Sequence, residues 1–232
     1  MPGPLEYVLW FLCTPFEVLA LVCAIKKKAI TRYFFLNLYI VASLVASLGR
    51  YQILHRYGIN SMEYVYFYYY SDALLTICLF FALMSLYSYV FAELNAERYV
   101  RLGALFLLSG TALFSYSVVQ QSSSKLVTHF VVELSQNLYF VGLVLTYLLW
   151  GSIMKLRETR TRLIHMVLSL GVYFSLFAAT YALRNLYPTM SSMLQALPPL
   201  IACFLPGAWA YAFWKVPEEA RTVPARLATV PR

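Results

Sequence analysis

Charge is what this sequence has least of. Only 12% of its 232 residues are Asp, Glu, Lys or Arg, about half the share of an ordinary soluble domain. With 61% of the chain hydrophobic, a water-facing surface cannot be built from it. Histidine is scarce too, with three residues at 55, 129 and 165. That is too few in register for an intramembrane zinc hydrolase. A metal site drawn from His55, Asp72, His129 and Glu133 is a weak pattern, and as haem ligands only His55 and His129 could match in depth, with His55 falling beyond the hydrocarbon. No G-x-S-x-G elbow, H-E-x-x-H helix or Walker loop occurs. Neither an enzyme nor a cofactor or metal is expected. The last apolar stretch has no interior lysine, which disfavours a retinal protein. The four cysteines, Cys13, Cys23, Cys78 and Cys203, form no C-x-x-C pair and read as small apolar core residues.

What is present instead is long apolar runs, over 5–25, 33–54, 64–91, 102–121, 127–153, 163–185 and 191–214. Each is about 20 residues or more, enough for a helix to cross a ~30 Å hydrocarbon core. The expected fold is an all-α integral membrane protein, a seven-transmembrane helical bundle over 1–215. A short disordered cytoplasmic tail over 216–232 follows. The first run has no basic residues before it and Lys26, Lys27 and Lys28 after it, so it reads as an anchor and not a signal peptide.

The net charge of +8 does not point to nucleic acid, because the basic residues sort by loop. Lys26, Lys27, Lys28, Arg32, Arg98, Arg101, Lys155, Arg157, Arg160, Arg162, Lys215, Arg221, Arg226 and Arg232 fall on one side. Arg50, Arg56, Lys125 and Arg184 fall on the other. Fourteen against four puts the N-terminus outside and the C-terminus in the cytoplasm. The expected surroundings are the lipid bilayer, with anionic lipids at the cytoplasmic face and room there for a protein partner.

Small residues at Ala42, Ser43, Ala46 and Ser47 let a neighbouring helix approach. Gly103 and Gly110, seven apart, predict a fourth span packed inside the bundle. Pro15 should kink the first span, and Pro198, Pro199 and Pro206 the seventh. The third span opens with Tyr64-Val65-Tyr66-Phe67-Tyr68-Tyr69-Tyr70. Its outward rings suit an aromatic belt at the headgroups, and its inward ones must line something.

Ionisable residues inside spans mark candidate sites. Arg50, Asp72, His129, Glu133 and Arg184 lie in the outer layer, and Glu17 lies mid-span. His129, Glu133 and Asn137, at i, i+4 and i+8, share one helical stripe that should face the interior. The expected ligand-binding set is Arg50, Tyr66, Tyr69, Tyr70, Asp72, His129, Glu133, Asn137 and Arg184, around an outward-facing polar and aromatic pocket. Structural ion pairs between helices give the same pattern. Glu17, Asp72 and Glu133 form a candidate proton relay.

The run Tyr66-Phe67-Tyr68-Tyr69-Tyr70-Ser71-Asp72-Ala73-Leu74, with the basic cluster before Tyr33-Phe34-Phe35, resembles a family of uncharacterised bacterial seven-span membrane proteins. That family is similar to the seven-span input modules of histidine kinases. The resemblance implies a bundle in the bacterial inner (cytoplasmic) membrane and supplies no catalytic residues. The leading expectation is a stand-alone seven-helix sensor or small-ligand-binding module. The alternatives are a small-solute or proton-coupled transporter and an accessory subunit of a larger membrane complex.

Overall fold

A computed structural model describes residues 4–58, 61–92, 97–120, 126–156, 160–187 and 197–218. The described residues form seven helices and no strand: α1 (Pro4–Lys26), α2 (Phe34–Tyr57), α3 (Met62–Val90), α4 (Glu97–Gln120), α5 (Leu126–Leu156), α6 (Thr161–Leu186) and α7 (Leu197–Lys215). Six of them, α2 to α7, are long and apolar enough to cross a membrane. Large apolar side chains also stand on the outer surface, among them Val45, Leu113, Val144 and Tyr147. This is a multi-pass helical membrane protein, since water would not tolerate such a surface.

Helix ends follow local chemistry. The Ser61 hydroxyl caps α3 by accepting from Tyr64 N–H at 3.1 Å, the N-cap role that serine fills well. Gly58, at φ 78°, ends α2. Lys28, at φ 52°, ends α1. Its N–H donates to Ile25 O, and Ala29 N–H donates to Ala24 O, the Schellman pattern. A lysine holds the left-handed position that glycine usually fills.

The helices close into a ring in which α1 packs against α7 and α2, α2 against α3, α3 against α5, α5 against α6, and α6 against α7. Phe80, Leu138, Phe174, Trp209 and Phe213 fill its centre. α4 stands outside the ring, against α5 and α3. This corrects the expectation that α4 is interior. A Cβ at Gly103 or Gly110 would meet nothing within 4 Å, and Phe106, Leu113 and Phe114 are exposed beside them. Small residues permit close approach but do not compel it.

The close approach is elsewhere. A Cβ at Gly142 of α5 would lie 2.5 Å from a ring carbon of Phe174 on α6, itself fully buried. Gly142→Ala should therefore cost about 2 kcal/mol through overpacking. Gly110→Ala should stay neutral or gain from helix propensity. Thermal unfolding in detergent measures both, and equal effects would refute the packing argument.

Two further expectations change. Pro198 and Pro199 sit in the first turn of α7, where no intrahelical N–H partner is lost, so only Pro206 is an interior proline of that helix. Cys13 and Cys203 form a disulfide between α1 and α7. They are not a pair of separate core thiols, and their pairing follows from the adjacency of the first and last helices. Cys23 stays a buried free thiol and Cys78 a half-buried one.

Candidate functional site: a buried acid, arginine and tyrosine cluster

The site forms where α1, α2, α3, α5 and α6 face one another. Arg50 of α2 donates from Nε to Ser71 Oγ at 2.9 Å and from Nη2 to Tyr68 O at 3.4 Å. Its guanidinium lies 4.5 Å from the centre of the Tyr68 ring, a cation–π distance. Among the described residues no carboxylate reaches ion-pair distance of Arg50, yet its charge attracts both Asp72 of α3 and Glu17 of α1. One cation thus lies within electrostatic reach of two acids.

Glu17 is only 4% exposed. Its Oε1 accepts from Ser43 Oγ at 2.5 Å, while Oε2 has no partner among the described residues. Asp72 is half-buried. It interacts with the Ser135 hydroxyl of α5, which is buried and falls short of hydrogen-bond geometry. Both unfilled groups are costly in a membrane interior.

Aromatic rings wall the cluster. Tyr139 of α5 stacks on Phe177 of α6 at 4.5 Å between centroids, and Phe177 meets Tyr173 at 4.7 Å. Tyr181 lies 5.7 Å from Tyr139. The Tyr173 hydroxyl lies close to that of Tyr39 on α2, and both acids lie within electrostatic reach of Tyr39. On its other side, Tyr39 meets Trp209 of α7 edge to face at 5.8 Å. Trp209 is fully buried and donates from Nε1 to Ser169 Oγ of α6 at 2.9 Å.

Of the expected site residues, the structure brings together Arg50 and Asp72, with Glu17 joining them. Tyr69 is half-buried and packs its ring against Tyr68. Tyr66 and Tyr70 are exposed, on the outer face where a belt would sit. His129 and Arg184 are exposed, and Glu133 is half-buried. Asn137 donates to Ser115 Oγ of α4 at 2.9 Å, so the stripe it shares with His129 and Glu133 turns toward α4 and away from Asp72. A shallow, open groove of about 350 Å³ there is lined by Asn137, Phe106, Gly110, Phe114 and Phe140. Glu133 lies two residues from Ser135 along α5, which sets the two side chains on opposite sides of that helix. Among the described residues no three His, Cys, Asp or Glu side chains converge as metal ligands.

The expected set omits Ser43, Ser71, Tyr39, Ser135, Tyr139, Tyr173 and Tyr181. A signal for part of it was present: Tyr173, Phe177 and Tyr181 repeat at i, i+4 and i+8 and share a face of α6.

At the opposite end of the ring, a second polar cluster ties the chain after α7 to the rest. Glu218 Oε2 pairs with Arg162 Nη1 at 2.7 Å. Its Oε1 pairs with Arg32 Nε at 3.0 Å and accepts from the Tyr33 hydroxyl at 2.9 Å. Arg162 is buried and also donates from Nε and Nη2 to Val216 O, and Thr161 Oγ1 donates to Pro217 O. Residues 216–218, expected within a disordered tail, are thus held in place. The rest of that tail, 219–232, lies outside the described residues. Burial and the Glu218 carboxylate both push the Tyr33 hydroxyl above its ordinary pKa, which keeps it a donor.

None of the known family models, curated proteins or solved structures compared with the chain matches it.

Proposed function

We propose that this chain is a seven-span membrane sensor, with its N-terminus outside and its C-terminus in the cytoplasm. Its input is the Glu17–Arg50–Asp72 cluster and its output the cytoplasmic end of α6 and α7. On this reading it sits in a bacterial inner membrane and works as the seven-span input modules of histidine kinases do, through a cytoplasmic protein partner.

The observation that carries the reading is the position of Tyr39. Its hydroxyl lies in the field of both acids, and its ring abuts Trp209 on α7. A change of charge at the acids is therefore felt by the helix that leads to Glu218. The ligand class follows from charge: two acids share one arginine, with an unfilled carboxylate oxygen and an unfilled hydroxyl beside them. The cluster suits a small cation, the proton being the smallest. Such a guest acts only by binding one of two helix arrangements better than the other. A proton-coupled carrier would need Glu133 in series with Asp72, and Glu133 lies on the stripe that turns toward α4.

The test uses protein in nanodiscs with Trp209 as the sole tryptophan, the other three replaced by Phe. Emission is followed from about pH 5 to about pH 8 and with added ammonium and tetramethylammonium. A saturable shift that Glu17→Gln and Asp72→Asn each abolish is expected. An unchanged response in both variants, or no response in the parent protein, refutes the sensor reading.

A further inference from the structure

The Glu218 cluster is an anion site already holding an anion. Three donors, Arg32 Nε, Arg162 Nη1 and the Tyr33 hydroxyl, converge on the two oxygens of one carboxylate at 2.7–3.0 Å. Arg162 is 7% exposed and its other donors are fixed on Val216 O, so the guanidinium is preorganised. The Glu218 side chain, at 17% exposure, is held less deeply. The site lies at helix ends: α2 begins at Phe34, α6 begins at Thr161 and α7 ends at Lys215. On the seven-span reading that is the depth of the headgroup phosphates. Lys26 and Lys27 lie 5.7 and 5.6 Å from the centre of the Trp214 ring in the last turn of α7, and add positive potential at that end of the helix.

We propose that Glu218 is an internal plug in a binding site for the phosphomonoester headgroup of an anionic lipid, and that this headgroup displaces it. A carboxylate offers two oxygens and one charge. A phosphomonoester offers three oxygens and about −1.5 to −2 charges, which suits three separate donors, two of them guanidinium groups. Displacement frees Glu218 from the ends of α2 and α6 while Arg162 keeps its hold on Val216 O, so lipid composition sets how firmly the chain leaving α7 is latched. The proposal rests on the seven-span reading for its depth and not on the sensor reading.

The full chain is placed in phosphatidylcholine nanodiscs with or without phosphatidic acid. Amide hydrogen exchange is then followed over 214–218, and lipid retention is read by native mass spectrometry. Phosphatidic acid is expected to speed exchange several-fold in the parent protein. In Glu218→Gln, exchange is already fast in phosphatidylcholine alone. That variant retains phosphatidic acid about tenfold more tightly, because the competing closed state is gone. Arg32→Gln, a change at a half-exposed side chain that should leave the fold intact, loses that gain. Three results overturn the proposal: no effect of phosphatidic acid on exchange, unchanged retention in Glu218→Gln, or equal opening by phosphatidylglycerol or millimolar inorganic phosphate. These readouts do not involve Trp209, so failure here is distinct from failure of the sensor reading.

Discussion

Replacing Arg50 with methionine should lower the unfolding midpoint by about 6 °C, and adding Asp72→Asn or Glu17→Gln should restore at least half of that loss. Removing one partner from a buried charge set typically costs ~3–5 kcal/mol, because the other charges stay buried without compensation. Arg50 is only half-buried and makes no direct ion pair among the described residues. About 2 kcal/mol is the better figure, which a chain of this length converts to several degrees. An arginine that merely reached for the headgroups would cost far less, since exposed charges contribute ~0–1 kcal/mol. Rescue is the discriminating part. If Arg50 serves to balance Glu17 and Asp72, neutralising an acid in the Arg50→Met background removes the uncompensated charge, and the two changes are strongly non-additive. Additive losses in thermal scans of the parent, the single variants and the two double variants would show that the residues share a neighbourhood without sharing a function.

Much of the helical layout was legible in the sequence, because a membrane imposes length and apolarity on each helix and both can be read off one residue at a time. The seven helices lie within a few residues of the seven apolar runs, apart from the α4 start at Glu97 and the α7 start at Leu197. What could not be read was the rotation and placement of each helix. α2, α3 and α7 are apolar on nearly every face, so no periodic stripe tells inside from outside. α4 was misplaced for a different reason, since its two faces do differ. Its glycines suggested an interior helix, but the ring closes through α3 and α5 without it.

The candidate site was legible for its charges and illegible for its polar neighbours. Arg50, Asp72 and Glu17 stand out because each is costly in a span. Ser43, Ser71 and Ser135 do not, since a serine in a membrane helix satisfies itself on its own backbone as readily as on a partner. The His129–Glu133–Asn137 stripe was real as a stripe. Facing it inward assumed that every polar face meets the bundle centre, whereas Asn137 finds Ser115 on the peripheral α4. One helix with two polar faces, Ser135 and Tyr139 on one and Glu133 and Asn137 on the other, has no single inward direction that spacing alone can choose.

Cutting the chain between α5 and α6 should leave a single covalent species that only a reductant separates. Cys13 lies before such a cut and Cys203 after it, so a protease site inserted at 157–159 yields two fragments held by one bond. Cys13→Ser should run as two bands with or without dithiothreitol. Two bands from the unreduced parent protein would refute the bond. On the N-outside reading, the two cysteines lie roughly 14 and 9 Å along their helices from the outer ends. That is the side on which disulfides persist. A bond closing 190 residues would be worth about 5 kcal/mol if the unfolded chain were a free coil. In a bilayer the separated helices remain helical and inserted, so most of that entropy is already absent. A loss of no more than about 2 kcal/mol is expected for Cys13→Ser, the same within error for Cys203→Ser and for the double variant. The mechanical consequence is larger than the energetic one. α7 is fixed covalently to α1 near one end and held by Glu218 near the other, with Pro206 and Trp209 between them. If the proposed sensor reading holds, a signal passing from Tyr39 to Trp209 displaces only the inner half of α7, and Cys13→Ser should weaken the Trp209 response by letting the outer half move as well.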